Sequence, residues 1–326
     1  MKTSPDEVLG HTESLSPCLY SQRILWAISM NLICDCKMDR KVQKTIREKI
    51  ILKNSLAKET IGEFLATFTL VVLGCGSVAQ TVLSRGTAGG PVTTNVGFAM
   101  AIVISLYVSG GVSGGHVNPA VSFAMCLYGR MKWFKFPFYV VAQFLGAFVG
   151  AAVLFGVYYD AITTFAEGKL IVTGENATAQ IFATYPLNYL TIGNEFADQV
   201  MCSTFLLFGV FAIFDEKNWR VPKGLEPVVV GLLILAIACS LGMNTGSAMN
   251  PARDLGPRVF TALAGWGVEV FTTASHFWWI PTVAPFLGAA LGGFIYVFGI
   301  EIHHTVPVPE EKNEQVEEKN ELSVIM

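Results

Sequence analysis

Ser113-Gly114-Gly115-His116-Val117-Asn118-Pro119-Ala120 and Thr245-Gly246-Ser247-Ala248-Met249-Asn250-Pro251-Ala252 are the two stretches that decide the fold. Each is a small-residue loop that ends in Asn-Pro-Ala, and each lies beside very hydrophobic segments. A single Asn-Pro-Ala is ordinarily no more than a capped helix start, because asparagine caps well and proline suits a first turn. Two copies at equivalent points of two apolar halves read instead as an inverted repeat, with short half-helices meeting at the bilayer midplane. That narrows the function to moving something across a membrane.

Composition agrees. Of 326 residues, 52% are hydrophobic and only 14% charged, too few charges to cover a soluble protein of this size. Six apolar runs approach or exceed the roughly 20 residues that cross a bilayer. They predict spans over 61–83, 94–112, 135–158, 192–214, 225–243 and 277–300. Two more, 118–128 and 250–262, are too short to cross and read as re-entrant half-helices. The expected fold class is an all-α membrane protein with six transmembrane helices plus two re-entrant half-helices in an inverted repeat.

Short-loop cations set the orientation. Lys37, Arg40, Lys41, Lys44, Arg47, Lys49, Lys53 and Lys58 precede the first span; Arg130, Lys132 and Lys135, then Lys217, Arg220 and Lys223, mark two later loops. These belong inside. The alternate loops, 84–93 and 159–191, carry little beyond Arg85 and Lys169, and the second holds Asn176-Ala177-Thr178, a glycosylation acceptor that requires the lumenal face. Both termini are expected in the cytoplasm. The apolar stretch 24–34 is short, begins late and lacks a small-residue cleavage site, so a signal peptide is not expected.

The small residues in the two loops let an extended backbone lie against the pore and turn its carbonyls inward, which is tolerated at membrane depth only beside a wet cavity. Gly114, Gly115 and His116, and Gly246, Ser247 and Ala248, supply those carbonyls. Asn118 and Asn250 can donate to a passing hydroxyl, and each half-helix N-terminus adds about half a positive charge. This is a filter for neutral polar molecules that repels cations and hydronium. Arg253 follows the second motif directly; an arginine at membrane depth costs at least about 2.5–3.5 kcal/mol unless it faces water or protein. Glu63, Glu195, Asp198 and Gln199 raise the same question, and Glu63 is read as holding loop N–H groups. Gly146-x-x-x-Gly150 and Gly288-x-x-x-Gly292 are close-packing seams in corresponding halves.

The seven cysteines form no disulfide framework: Cys75, Cys126, Cys202 and Cys239 fall in membrane segments, and Cys18, Cys34 and Cys36 in the cytoplasmic extension. Cys34-Asp35-Cys36 has the wrong spacing for a zinc knuckle, and no cofactor, metal or nucleic-acid partner is expected. The net charge of −3 favours no class of partner. The tail from Val306 to Met326 is rich in Glu and Lys, a composition that does not fold; its Val324-Ile325-Met326 end has the pattern of a strand added to a PDZ-type groove.

Over about residues 55–302 the chain resembles the aquaporin (major intrinsic protein) family. Ser113 to Ala120, Asn250-Pro251-Ala252-Arg253-Asp254 and Gly256-Pro257-Arg258 point to the aquaglyceroporin branch, in which Asp254 marks glycerol-conducting members. The stretches Gly129 to Lys135 and Glu321 to Met326 resemble one member of that branch in particular. The resemblance implies repeats of about 57–165 and 190–302, a cytoplasmic extension over 1–54, a tail over 303–326, one pore per protomer, a homotetramer and a multi-pass plasma-membrane location. It places an outer constriction at Phe98, Ala238, Ser247 and Arg253, with Phe98 an apolar wall opposite the Arg253 donors. Where water-selective relatives have a histidine, Ala238 stands, which widens the constriction; Ser247 replaces a phenylalanine of the bacterial glycerol facilitator. Conduction of water, glycerol, urea and other small neutral solutes is implied. Tyr158, Asp254, Arg258, Pro281 and Thr282 mark the subgroup as packing and loop-anchoring residues. The family's buried glutamate of span four falls at Gln199, whereas spacing alone points to Glu195, which precedes Asn250 by the same interval as Glu63 precedes Asn118. Residues 1–37 match nothing in the family, so Met38 is expected to be an alternative start, with 1–37 an isoform-specific extension.

Two other functions are open. Inverted repeats with broken helices also serve secondary active transporters, and Glu63 is the deep carboxylate a proton-coupled polyol transporter would use. A junction protein with a vestigial pore would need close apposition, against which a glycan at Asn176 argues. An enzyme is not expected: His116, His276, His303 and His304 show no catalytic or metal-ligand spacing.

Overall fold

The computed structural model describes residues 48 and 50–304. The chain divides into Met1–Lys53 and Asn54–Met326. The 24–34 stretch, Cys18, Cys34, Cys36, the extension before residue 48 and the Val324-Ile325-Met326 end lie outside the described residues. From Asn54 onward the helices are α1 (Ser55–Leu83), α2 (Pro91–Ser113), α3 (Pro119–Leu127), α4 (Phe136–Val157), α5 (Tyr159–Phe165), α6 (Ile192–Ile213), α7 (Glu226–Thr245), α8 (Pro251–Thr261), α9 (Glu269–His276) and α10 (Ile280–Gly299). Among the described residues there is no strand, and six helical segments are long and apolar enough to cross a membrane. The fold is the all-α, six-span arrangement with two half-helices, α3 and α8.

Local chemistry sets the helix ends. Proline occupies the first turn of α2, α3, α4, α7, α8 and α10, where its missing N–H is no loss. α2 and α7 close on glycines in the left-handed region, Gly114 (φ 87°) and Gly246 (φ 72°), a conformation glycine adopts without penalty. α1 begins at Ser55, earlier than the hydropathy reading of 61. Asn54 caps it by accepting from the Ala57 N–H at 3.2 Å, and one turn further on Glu59 pairs with Lys135 at 2.6 Å and accepts from the Tyr139 hydroxyl at 2.9 Å. α5 and α9 were not foreseen, being short helical turns in polar connections.

In the first repeat α1 packs on α2 and α4; in the second, α6 packs on α7 and α10. The repeats interlock, with α8 against α4 and α3 against α10. Both glycine pairs sit at these contacts. A Cβ on Gly146 would strike the Phe64 carbonyl of α1, and one on Gly150 would lie 2.9 Å from the Phe68 carbonyl; Gly288 and Gly292 stand in the same relation to the Val200 and Thr204 carbonyls of α6. Backbones this close leave no room for a side chain.

At one end of the bundle the chain after α10 is tied down. The Asp215 carboxylate accepts from the Tyr296 hydroxyl at 2.8 Å, from His304 Nε2 at 2.6 Å and from the Lys217 N–H at 2.9 Å, while Arg130 pairs with Glu301 at 2.7 Å. Burial pushes the Asp215 carboxyl up, but the His304, Lys217 and Tyr296 hydrogen bonds outweigh it and hold the carboxyl below its usual value.

Two outcomes are expected. Gly292→Leu forces α10 away from α6 and lowers stability by ~1–3 kcal/mol or more, read as a lower thermal midpoint in detergent. The tie at Asp215, whose carboxyl is depressed in the fold, is fully formed above the ordinary carboxylate range and lost as pH falls through and below it. Proteolysis just after His304 therefore accelerates at acid pH in the wild type and is already fast at neutral pH in Asp215→Asn.

Candidate pore and its filter

The two Asn-Pro-Ala loops hold each other. Asn118 Oδ1 accepts from the Ala120 N–H at 2.8 Å, capping α3, and Asn250 Oδ1 accepts from the Ala252 and Arg253 N–H groups at 3.1 and 3.2 Å, capping α8. Pro119 and Pro251, both buried, are the first residues of the two half-helices. Asn118 Nδ2 donates across to the Met249 carbonyl at 2.9 Å, and Asn250 Nδ2 donates across to the Val117 carbonyl at 2.8 Å. Those carbonyls belong to residues in the left-handed region, Val117 (φ 56°) and Met249 (φ 51°), an unfavourable conformation for non-glycine residues that the reciprocal bonds help hold. A primary amide has two N–H donors. With one committed to the opposite loop, each asparagine retains one for a solute.

A cavity of about 460 Å³ runs past both motifs. Its lining includes Gly114, Gly115, His116 and Asn118 from the first loop, Gly246, Ser247, Ala248 and Asn250 from the second, and Phe98, Ala238 and Arg253. Leu70, Ile102, Leu106, Val121, Leu206 and Ile234 also line it. The result is an amphipathic passage, with hydrogen-bonding groups from the loops and an apolar remainder from the long helices. Both half-helix N-termini, the positive ends of their dipoles, begin at the asparagines.

Arg253 is buried, and its Nη1 donates to the Phe182 carbonyl at 3.0 Å. Its guanidinium carbon lies 4.6 Å from the centroid of the Phe98 ring. Ring and cation are thus in direct contact, closer than the facing walls expected from the sequence. Gly74 on α1 makes this possible, since a Cβ there would strike the Phe98 ring. The Phe182 ring packs against Phe155, Phe260 and Trp266 with centroids 5.6–6.5 Å away, so the carbonyl that orients Arg253 is itself fixed by an aromatic cluster.

The loops are anchored unequally. In the first, Glu63 accepts from the Ser113 hydroxyl at 2.5 Å, the His116 N–H at 2.9 Å, the Val117 N–H at 2.7 Å and Gln143 Nε2 at 2.7 Å. His116 Nδ1 also lies 3.1 Å from the Ser122 hydroxyl. In the second, Gln199 Oε1 accepts from the Met249 N–H at 3.1 Å. The structure thus places Gln199 against this loop, while Glu195, favoured by spacing, is buried with its Oε2 unpartnered among the described residues.

Asp254 lies outside the cavity lining, buried beneath the segment that forms its outer wall. Its Oδ2 accepts from the Thr184 N–H at 2.7 Å and hydroxyl at 2.6 Å, and its Oδ1 pairs with Arg258 at 2.9 Å. Arg258 donates further to the Thr184 and Val270 carbonyls at 2.5 and 2.9 Å. This fully hydrogen-bonded pair, 1% and 0% exposed, meets the condition under which buried charges are tolerated. It holds Thr184, and through Arg258 the Tyr185 ring 4.6 Å away, where both line the cavity together with Gln180; sequence reasoning did not single these residues out because the partners that hold Thr184 lie 70 or more positions away. Burial pushes the Tyr185 hydroxyl up to about 12, against the lowering effect of Arg258, so it stays neutral. Tyr158, Pro281 and Thr282 sit at helix ends and not in the lining. Asn176 is not in the lining; it accepts from Arg85 at 2.9 Å.

Comparisons follow the same lines. The major intrinsic protein family profile matches residues 51–296. The chain is 64% identical to aquaporin-9 of Homo sapiens, covering 87% of this chain and 97% of that protein. It is 46% identical to aquaporin-10 of Homo sapiens, covering 78% and 84%. The crystal structure of the aquaglyceroporin from Plasmodium falciparum superposes with a TM-score of 0.69 at 31% identity, covering 76% of this chain and 98% of that one. With six spans, two interlocked Asn-Pro-Ala half-helices and this extent of identity, the chain belongs to the major intrinsic protein family, the aquaporins, which are membrane channels and not enzymes.

Proposed function

We propose that this chain is a passive channel for water, glycerol, urea and other small neutral solutes that excludes protons and ions. The observation that carries the reading is the pairing, in one cavity, of free asparagine donors and loop carbonyls with an apolar remainder. A polyol lies with its carbons on Phe98 and the aliphatic residues while its hydroxyls meet Arg253, the carbonyls and the asparagine N–H groups, replacing hydration that would otherwise cost several kcal/mol to remove. The two half-helix dipoles and Arg253 form a positive barrier to cations and hydronium. Ala238 and Ser247 leave the constriction wide enough for a three-carbon solute.

The rest of the reading rests on the sequence: a homotetramer in the plasma membrane, both termini cytoplasmic, Asn176 outside and glycosylated. A proton-coupled transporter is disfavoured because Glu63, its candidate carboxylate, accepts four hydrogen bonds from loop and helix groups and is fully buried.

Stopped-flow light scattering on proteoliposomes tests the proposal. Fast osmotic shrinkage followed by fast reswelling in glycerol and in urea is expected, and fast shrinkage alone would make the pore water-selective. Ala238→His crowds the constriction and lowers glycerol permeability by ~1–3 kcal/mol of barrier while water loses less; equal loss of both would place Ala238 outside the filter. Arg253→Ala raises proton or cation leakage by tenfold or more, since it removes a fixed positive charge from the lining. Dye-reported proton flux reads the change.

A further inference from the structure

Glu63 holds the first loop with a carboxylate, whereas the second loop is held by an amide, which can point either way. Gln199 is fully buried. Its Oε1 must face the Met249 N–H, because the reverse orientation would set an NH₂ group against that donor. Something has to select the orientation. Gln199 Nε2 contacts the Thr245 hydroxyl at 2.7 Å, and a hydroxyl by itself does not choose, since it both donates and accepts. Thr245, also fully buried, contacts Asp198 Oδ2 as well. An ionised carboxylate only accepts. The Thr245 proton is therefore committed to Asp198, its oxygen is left to accept from Gln199 Nε2, and Gln199 Oε1 is left for Met249. Asp198 Oδ1 accepts from Asn244 Nδ2 at 3.2 Å, which places the carboxylate on both residues at the start of the loop.

We propose that Asp198 is a positioning residue of the filter: acting through Thr245, it fixes the direction of the Gln199 amide and thereby the backbone of the second loop at Met249. The consequence reaches the pore directly. The Met249 carbonyl accepts from Asn118, and Ser247 and Ala248 of the same loop line the cavity. The charge that Glu63 supplies at the first loop itself is thus displaced in the second repeat by one residue and one hydroxyl. This inference rests on the channel reading above for its flux consequence, though not for its geometry.

Asp198→Asn breaks the ordering. The amide introduced by this substitution can donate to Thr245, Thr245 can then donate to Gln199 Oε1, and the Met249 N–H loses its acceptor. Full-length wild type, D198N and D198N/Q199E are compared in proteoliposomes, reading the glycerol-to-water permeability ratio and, separately, hydrogen exchange in the peptide containing Met249. D198N lowers the ratio by about fivefold or more, the effect of one buried donor left unpaired, and accelerates exchange. D198N/Q199E returns a carboxylate to the loop and restores both readouts, a rescue that a merely structural role for Asp198 would not show. An unchanged ratio and exchange in D198N, or a double variant no better than D198N, overturns the proposal. If D198N does not assemble, Thr245→Ser retains wild-type values and Thr245→Val loses them; equal values overturn it. A wild type that passes no glycerol refutes the functional reading instead, and hydrogen exchange still decides the positioning role.

Discussion

Two reciprocal hydrogen bonds join the Asn-Pro-Ala loops of this protein: the Asn118 amide to the Met249 carbonyl and the Asn250 amide to the Val117 carbonyl. At membrane depth no water is available to satisfy stray backbone groups, so irregular chain survives there only when protein or a wet cavity takes its donors and acceptors. Each loop therefore depends on the other. The asparagine that caps one half-helix also secures the left-handed residue of the opposite loop, and what remains unpaired is turned toward the passage. The hydrogen-bonding groups offered to a solute are the remainder left by this mutual satisfaction.

Around that junction, rigidity is supplied from outside the lining. Glu63 holds the first loop, and Gln199, Thr245 and Asp198 hold the second. The Asp254–Arg258 pair pins Thr184 and Tyr185, and the aromatic cluster behind Phe182 fixes the carbonyl that orients Arg253. Groups aimed in advance need not reorganise as a solute passes, so their hydrogen bonds can replace hydration with little ordering cost. The close glycine contacts of α1 with α4 and of α6 with α10 give the bundle the stiffness to keep these distances.

Much of this was legible in the sequence because it is local. Hydropathy located the six spans, and the Asn-Pro-Ala signals located both half-helices to within a residue or so, since capping chemistry is written in adjacent positions. Family resemblance pointed to Phe98, Ala238, Ser247 and Arg253, and all four line the cavity. The less legible features depend on partners distant in sequence. The hydropathy reading begins the first span at 61 because Lys58 and Glu59 break the apolar run, whereas α1 extends back to Ser55 with Glu59 paired to Lys135 and hydrogen-bonded by Tyr139. Equal spacing favoured Glu195 over Gln199, but the two repeats are not strictly equivalent in register, and no periodicity records that. Thr184 and Tyr185 reach the lining through an ion pair on a separate helix, and the direct contact of Phe98 with Arg253 depends on the missing side chain at Gly74.

The central claim is that one passage favours neutral hydroxylated solutes and rejects charge. Its most direct test records glycerol-driven reswelling and dye-reported proton entry on the same proteoliposomes, under an imposed pH gradient clamped with valinomycin. Rapid reswelling with proton entry no faster than in empty vesicles is the predicted result. Proton entry that rises in step with glycerol flux, or reswelling that is driven uphill by the pH gradient, would contradict the account.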